Sequence, residues 1–148
     1  MTLKERITED MKTAMRSGAK ERLGVIRMTT AAIKQREVDE RITLDDAQVV
    51  AVIEKMIKQR KESLQHFQAG NRQDLVDKEA AEIALLKTYL PTALTDPEID
   101  ALIAEAIAAT NAASIKDMGK VMALIRGKAQ GRADMAAIGA KIKATLGG

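Results

Sequence analysis

Apolar residues recur at spacings of three and four along almost the whole chain, the period of helices that each bury one face. Leu3, Ile7, Met11, Ala14 and Met15 predict a first helix over Leu3–Arg16. Thr2 and Glu5 supply a capping box, and Ser17-Gly18 ends it because glycine accepts a left-handed helix terminus. A second helix runs from Lys20 to Val38 with a seam of Leu23, Ile26, Thr30, Ile33 and Glu37 or Val38, followed by a turn at Asp39-Glu40-Arg41. A third starts at Thr43 and continues to Ala69 on Val49, Val50, Ile53, Met56, Ile57, Leu64 and Phe67. At 1.5 Å per residue it measures roughly 39 Å, long enough to form one arm of a helical hairpin. Gly70 stops it. Asn71 caps a fourth helix with Leu75, Ile83, Leu86 and Leu90 facing inward.

Pro91 and Pro97 are the only prolines, and they bracket a break. Residues 1–91 are therefore expected to form an N-terminal helical domain and residues 92–148 a C-terminal three-helix domain. Thr95-Asp96-Pro97-Glu98 combines a cap, an early proline and an acidic first turn for a fifth helix on Ile99, Leu102, Ile103 and Ile107 that ends at Asn111. Ser114-Ile115-Lys116-Asp117 opens a sixth on Met118, Val121, Met122 and Ile125, ended by Gly131. Asp134 caps a seventh on Met135, Ile138, Ile142 and Leu146. No strand alternation occurs. The expected fold is all-α: an N-terminal four-helix part with a long helical hairpin, then a small three-helix bundle.

Composition narrows the chemistry. With no cysteine and a single histidine, His66, the chain has no thiol nucleophile, no thiolate zinc site and no histidine cluster for a metal. Phe67 and Tyr89 are the only aromatic residues, too few for a base-stacking platform. No apolar run approaches the roughly 20 residues of a membrane span. Met1-Thr2-Leu3-Lys4-Glu5 carries charge where a secretory signal has its apolar core, so a soluble, cytoplasmic protein is expected. Each amphipathic face has an internal use, which predicts a monomer.

The net charge is only +3, yet charge is unevenly placed. Residues 92–115 carry Asp96, Glu98, Asp100 and Glu105 and no base. Residues 116–148 carry Lys116, Lys120, Arg126, Lys128, Arg132, Lys141 and Lys143 against Asp117 and Asp134. Clustered Lys and Arg release counterions from phosphates, so this local excess suits a nucleic-acid backbone. At about 100° per residue, Gly119, Ala123 and Gly127 form a strip of small residues bordered by Lys116 and Lys120. The strip could take a phosphate backbone or a partner helix. Lys20, Arg27, Lys34 and Arg41 recur every seven residues on the second helix, where long basic stems can simply cover apolar surface. Glu54, Lys58 and Glu62 form a solvated, paired face. Catalytic sets are weak. Ser63 and His66 lie one turn apart without an oxyanion loop, and Asp74, Glu79 and Glu82 suit capping and pairing better than magnesium. Arg126-Gly127-Lys128-Ala129-Gln130-Gly131 does not match a P-loop and follows no strand.

Several strings, in order along the chain, resemble one family. They are Arg22-Leu23 with Arg27 and Ala31-Ala32-Ile33-Lys34; Lys58-Gln59-Arg60-Lys61-Glu62-Ser63; Gly70-Asn71-Arg72-Gln73-Asp74-Leu75 followed by Glu79, Glu82 and Tyr89-Leu90-Pro91; Met118-Gly119-Lys120-Val121-Met122; and Gly131-Arg132-Ala133-Asp134. The chain resembles the YqeY-like proteins, which are similar to the tail region of the B subunit of the glutamine-dependent aspartyl/glutamyl-tRNA amidotransferase. The resemblance implies a non-catalytic, tRNA-associated accessory module without a cofactor; the family label of carbon–nitrogen ligase with glutamine as amido donor would come by inheritance. It makes Lys116, Gly119, Lys120 and Arg132 the leading candidates for tRNA backbone contacts, and the local basic excess adds Arg126, Lys128 and Lys141 to the candidate nucleic-acid-binding residues. The alternative is a helical protein–protein adaptor that does not bind tRNA.

Overall fold

A computed structural model describes residues 1–147. It contains seven α-helices: α1 (Leu3–Ser17), α2 (Lys20–Glu40), α3 (Asp46–Ala69), α4 (Gln73–Lys87), α5 (Asp96–Thr110), α6 (Met118–Ala129) and α7 (Met135–Gly147). No strand occurs among the described residues. The chain divides into two compact units, Met1–Leu90 and Pro91–Gly148.

In the first unit, local chemistry sets the helix ends. Thr2 accepts from the Glu5 amide while the Glu5 carboxylate accepts from the Thr2 amide, and Gly18 closes α1 at φ 70°. The start of α3 lies later than Thr43. Asp45 is its N-cap and exchanges hydrogen bonds with Gln48, which frees Leu44 to enter the core at 4% exposure. The Leu44 amide donates to Glu37, and Asp46 accepts from the Leu3 amide, so two acids beyond the cap join α1, α2 and α3. Gly70 closes α3 at an ordinary φ of −89°, and Asn71, expected as the cap of α4, is instead the left-handed residue of the turn at φ 55°. The N-cap of α4 is consequently Arg72.

α3 and α4 form the long hairpin, against which α1 and α2 pack. Ile7, Val25, Ile26, Ile33, Val49, Ile53, Ile57, Ile83 and Leu86 make the core, joined by the buried Thr29, whose hydroxyl donates to the Val25 carbonyl. The buried face of α2 is Val25, Ile26, Thr29 and Ile33, rotated from the expected seam. A strict seven-residue seam drifts about 20° per heptad on a straight helix. Because α2 meets α1, α3 and α4, its core face is broad. Val38 and Met15, both expected in seams, are 63% and 53% exposed.

In the second unit, α6 packs against both α5 and α7. Thr95 and Glu98 form the capping box of α5, and Asn111 closes it at φ 53°. The start of α6 is delayed: Ile115–Asp117 is a 3₁₀ turn, and the Asp117 carboxylate accepts from the Ala113 amide. Ile103, Ala106, Val121, Ile125, Ala129, Ile138 and Ile142 fill the core. The Met118 side chain lies on α7 at Gly139, where a Cβ would stand 3.5 Å from its methyl, an ordinary van der Waals contact. The segment entering α5 is tied to the α6–α7 loop, since Leu94 donates to the Arg132 carbonyl at 2.7 Å and Arg132 Nε donates to the Thr92 carbonyl at 2.9 Å.

Candidate nucleic-acid interface

The core side of α6 is Met118, Val121, Met122, Ile125 and Ala129. Its opposite side carries Gly119, Lys120, Ala123, Arg126 and Gly127, all exposed. Nothing lies within 4 Å of where a Cβ would stand at Gly119 or Gly127. No helix of this unit covers the small strip, and a glycine inside a helix costs about 1 kcal/mol against alanine. The fold gains nothing visible from either.

The seven candidate residues separate into two groups. Lys116, Lys120 and Arg126 are exposed and carry no ion pair among the described residues. Gly119 lies with them on α6, while Lys116 stands in the 3₁₀ turn before it. The other three are engaged within the unit. Lys128 pairs with Glu105 at 3.3 Å, Lys141 with Asp100 at 3.1 Å, and Arg132 holds the Thr92 carbonyl. Acids of α5 thus neutralise part of the excess that the linear count assigned to residues 116–148. Asp117, held below the usual carboxylate range mainly by the Ala113 amide and less by Lys120, is the acid near the open group.

The first unit resolves the remaining sets. Glu79 and Glu82 of α4 both accept from Arg60 of α3, and the three side chains are only 15%, 16% and 11% exposed. Asp74 instead pairs with Arg72 at 3.2 Å, which lowers its pKa. Among the described residues no group of three or more acids or histidines could hold a metal ion. No hydrogen bond joins Ser63 to His66 among those residues. Lys20, Arg27 and Lys34 are exposed and unpaired; Arg41 is the left-handed C-cap of α2 and leaves the stripe. Grooves of about 260 Å³ beside Lys4, Thr30 and Glu37 and about 110 Å³ beside Leu102, Glu105 and Leu124 fall short of the roughly 300 Å³ at which small-molecule pockets begin.

Two clusters were not legible in linear spacing. One is Arg60 with Glu79 and Glu82. The other is Tyr89, whose hydroxyl donates to Asp10 while Arg6 lies 4.9 Å from its ring centroid and Arg22 reaches Asp10 at 3.8 Å. Burial and the Asp10 carboxylate push the Tyr89 hydroxyl up to about 12. A solitary tyrosine in an otherwise aromatic-poor chain was the available signal.

A family profile described as "Yqey-like protein" matches residues 4–146. The chain is 33% identical over 130 residues to the "Altered inheritance of mitochondria protein 41, mitochondrial" of Pyrenophora tritici-repentis, covering 84% of this chain and 71% of that one. The proteins of the same name from Kluyveromyces lactis and Lachancea thermotolerans are each 37% identical. Those matches cover 67% and 66% of this chain but 55% and 54% of theirs, so the chain spans little more than half of either relative. The mitochondrial names overturn the expectation of a cytoplasmic protein. A charged start excludes only the apolar core of a secretory signal, whereas mitochondrial leaders are themselves amphipathic and Arg-rich. No helix among the described residues is long and apolar enough to cross a membrane. From near its first residue to near its last the chain matches one profile, and it belongs to the YqeY-like family.

Proposed function

We propose that the chain is an accessory module that holds a structured RNA of the tRNA type through the open face of α6, with no catalysis of its own. One observation carries this reading: Lys116, Lys120 and Arg126 stand exposed and unpaired beside a strip of small residues that no neighbour covers. Unpaired cations meet phosphates without first breaking an internal bond, and glycines let a backbone approach closely. The two aromatic residues both belong to the first unit, and Tyr89 is 3% exposed, so the second unit has no ring on which to stack a base. Recognition by shape and phosphate suits such a surface. In this reading 1–91 and 92–148 are separately folding domains of a monomer.

The test is a titration of labelled tRNA at several salt concentrations, with a DNA duplex of similar length as control. Binding should prefer tRNA and weaken steeply with salt. K116A/K120A/R126A should lower the salt slope by about 2, at roughly 0.7–0.9 per phosphate contact. No binding at tens of micromolar would reject the reading. Purified protein should show no amidation of Glu-tRNA or Asp-tRNA, and detectable product would reject its accessory character.

The second reading is a helical protein–protein adaptor, favoured by the same uncovered strip. It predicts salt-insensitive partner binding that a bulky residue at Ala123 disrupts while the three Ala changes do little.

A further inference from the structure

α2 carries a second uncovered face, independent of the α6 reading and located in the first unit. Lys20, Gly24, Arg27, Ala31, Lys34 and Val38 follow one another at steps of four, three, four, three and four, and all six are exposed. At about 100° per residue they lie opposite Val25, Ile26, Thr29 and Ile33, the face that α2 buries. Cations and small or apolar residues thus alternate on a seven-residue repeat along about 27 Å of helix.

Three features set this face apart from an ordinary solvated one. First, no acid belongs to it. Glu37, three residues after Lys34, is already held by Lys4 at 2.7 Å and by the Leu44 amide. Lys20, Arg27 and Lys34 have no carboxylate partner among the described residues, whereas Lys4, Lys12, Arg22, Arg36, Arg60 and Arg72 do. Second, the face includes an apolar residue in the open: Val38 is 63% exposed. Third, nothing lies within 4 Å of a Cβ at Gly24, so the fold itself does not require that glycine.

We infer that the outer face of α2 docks an amphipathic α-helix of a protein partner, one that places apolar residues over Gly24, Ala31 and Val38 and heptad-spaced Asp or Glu against Lys20, Arg27 and Lys34. A seven-residue repeat is the register in which two helices stay in contact, with the apolar seam supplying adhesion and the flanking charges selecting the partner. Phosphate binding needs the cations but neither the apolar residues nor the heptad. A second copy paired through this same face would set like charges together, which opposes dimerisation. The proposal does not depend on RNA binding at α6.

The probe is a synthetic, fluorescein-labelled three-heptad helical peptide with Leu on its seam and Glu on its flanks. A twin peptide with Lys in place of Glu serves as control. Anisotropy with the full chain should show binding of the acidic peptide in the micromolar range and about tenfold or more weaker binding of the basic one. K20E/R27E/K34E should reverse that preference, and A31W should weaken the acidic peptide about tenfold by blocking the seam. All these changes are on the surface, so unchanged thermal midpoints verify folding. Equal affinity for both peptides, no binding at several hundred micromolar, or insensitivity to A31W would overturn the proposal. So would a duplex RNA that displaces the acidic peptide and loses its own binding in K20E/R27E/K34E, because that outcome assigns the face to nucleic acid.

Discussion

Tyr89 and Asp10 are 79 residues apart in sequence, yet the phenol donates a 2.6 Å hydrogen bond to the Asp10 carboxylate. The bond ties the end of α4 to α1. Arg6 reinforces the join by donating to the Thr88 carbonyl and facing the Tyr89 ring. Replacing Tyr89 with Phe keeps the ring and removes the donor. The expected loss is about 2 kcal/mol, read as a lower urea midpoint at unchanged slope, since hydrogen bonds to charged groups contribute roughly 1.5–3 kcal/mol. The pH dependence has a definite sign. The folded tyrosine holds its proton to about 12, while an unfolded one loses it near its ordinary value of about 10. The stabilisation is therefore complete below about pH 10 and is lost as pH rises towards 12. The stability gap between wild type and Y89F should shrink across that window; a constant gap would show that the phenol does not ionise in the way described.

Arg60 is the cation between two acids of the facing helix, with all three side chains mostly out of water. Arg60→Ala leaves Glu79 and Glu82 close together without a counter-charge. A loss of about 3 kcal/mol is expected, the lower end for breaking a buried pair. Adding E79Q and E82Q should restore much of it, because the neutral amides need no cation. A triple variant as unstable as R60A would mean that the arginine acts through packing alone.

Glu37 is held below the usual carboxylate range by Lys4 first and the Leu44 amide second. A lowered pKa means that stabilisation is present above the unfolded value of about 4.3 and disappears as pH falls through the folded one. Thermal midpoints of wild type and E37Q should differ at pH 6 and converge once pH falls below the lowered range in which the folded carboxylate takes up its proton. Parallel curves would place the acid sensitivity elsewhere.

The division among the α6 cations gives a prediction that composition alone cannot. Lys128 and Lys141 are already ion-paired with Glu105 and Asp100, while Lys116 and Lys120 form no ion pair among the described residues. K128A/K141A should therefore reduce RNA affinity less than K116A/K120A, although each pair removes the same formal charge. Gly119→Ala and Gly127→Ala should each stabilise the fold by up to about 1 kcal/mol, because both lie within α6, in its first and last turns, with open space around them. If either substitution destabilises, an unseen strain holds that position.

The helical class and most helix ends follow from local chemistry already written in the residue order. Thr2 with Glu5 and Thr95 with Glu98 are capping boxes because the partners are three residues apart, and Gly18 and Asn111 close helices by adopting positive φ. Such interactions close within one turn, so spacing suffices to find them. Where two local solutions compete, spacing does not choose. Thr43 and Asp45 could both cap α3, and burial of Leu44 selected Asp45. Gly70 and Asn71 could both turn the chain, and the turn placed Asn71 in the left-handed region. The rotation of α2 depends on meeting three other helices at once, which no periodicity along α2 encodes. The candidate site divides in the same way. That the cations cluster after residue 116 is a property of the chain; which of them remain open depends on where the acids of α5 and the Thr92 carbonyl come to lie in space. Charge can be counted along a sequence, but its neutralisation is set by distances that exist only once the helices pack.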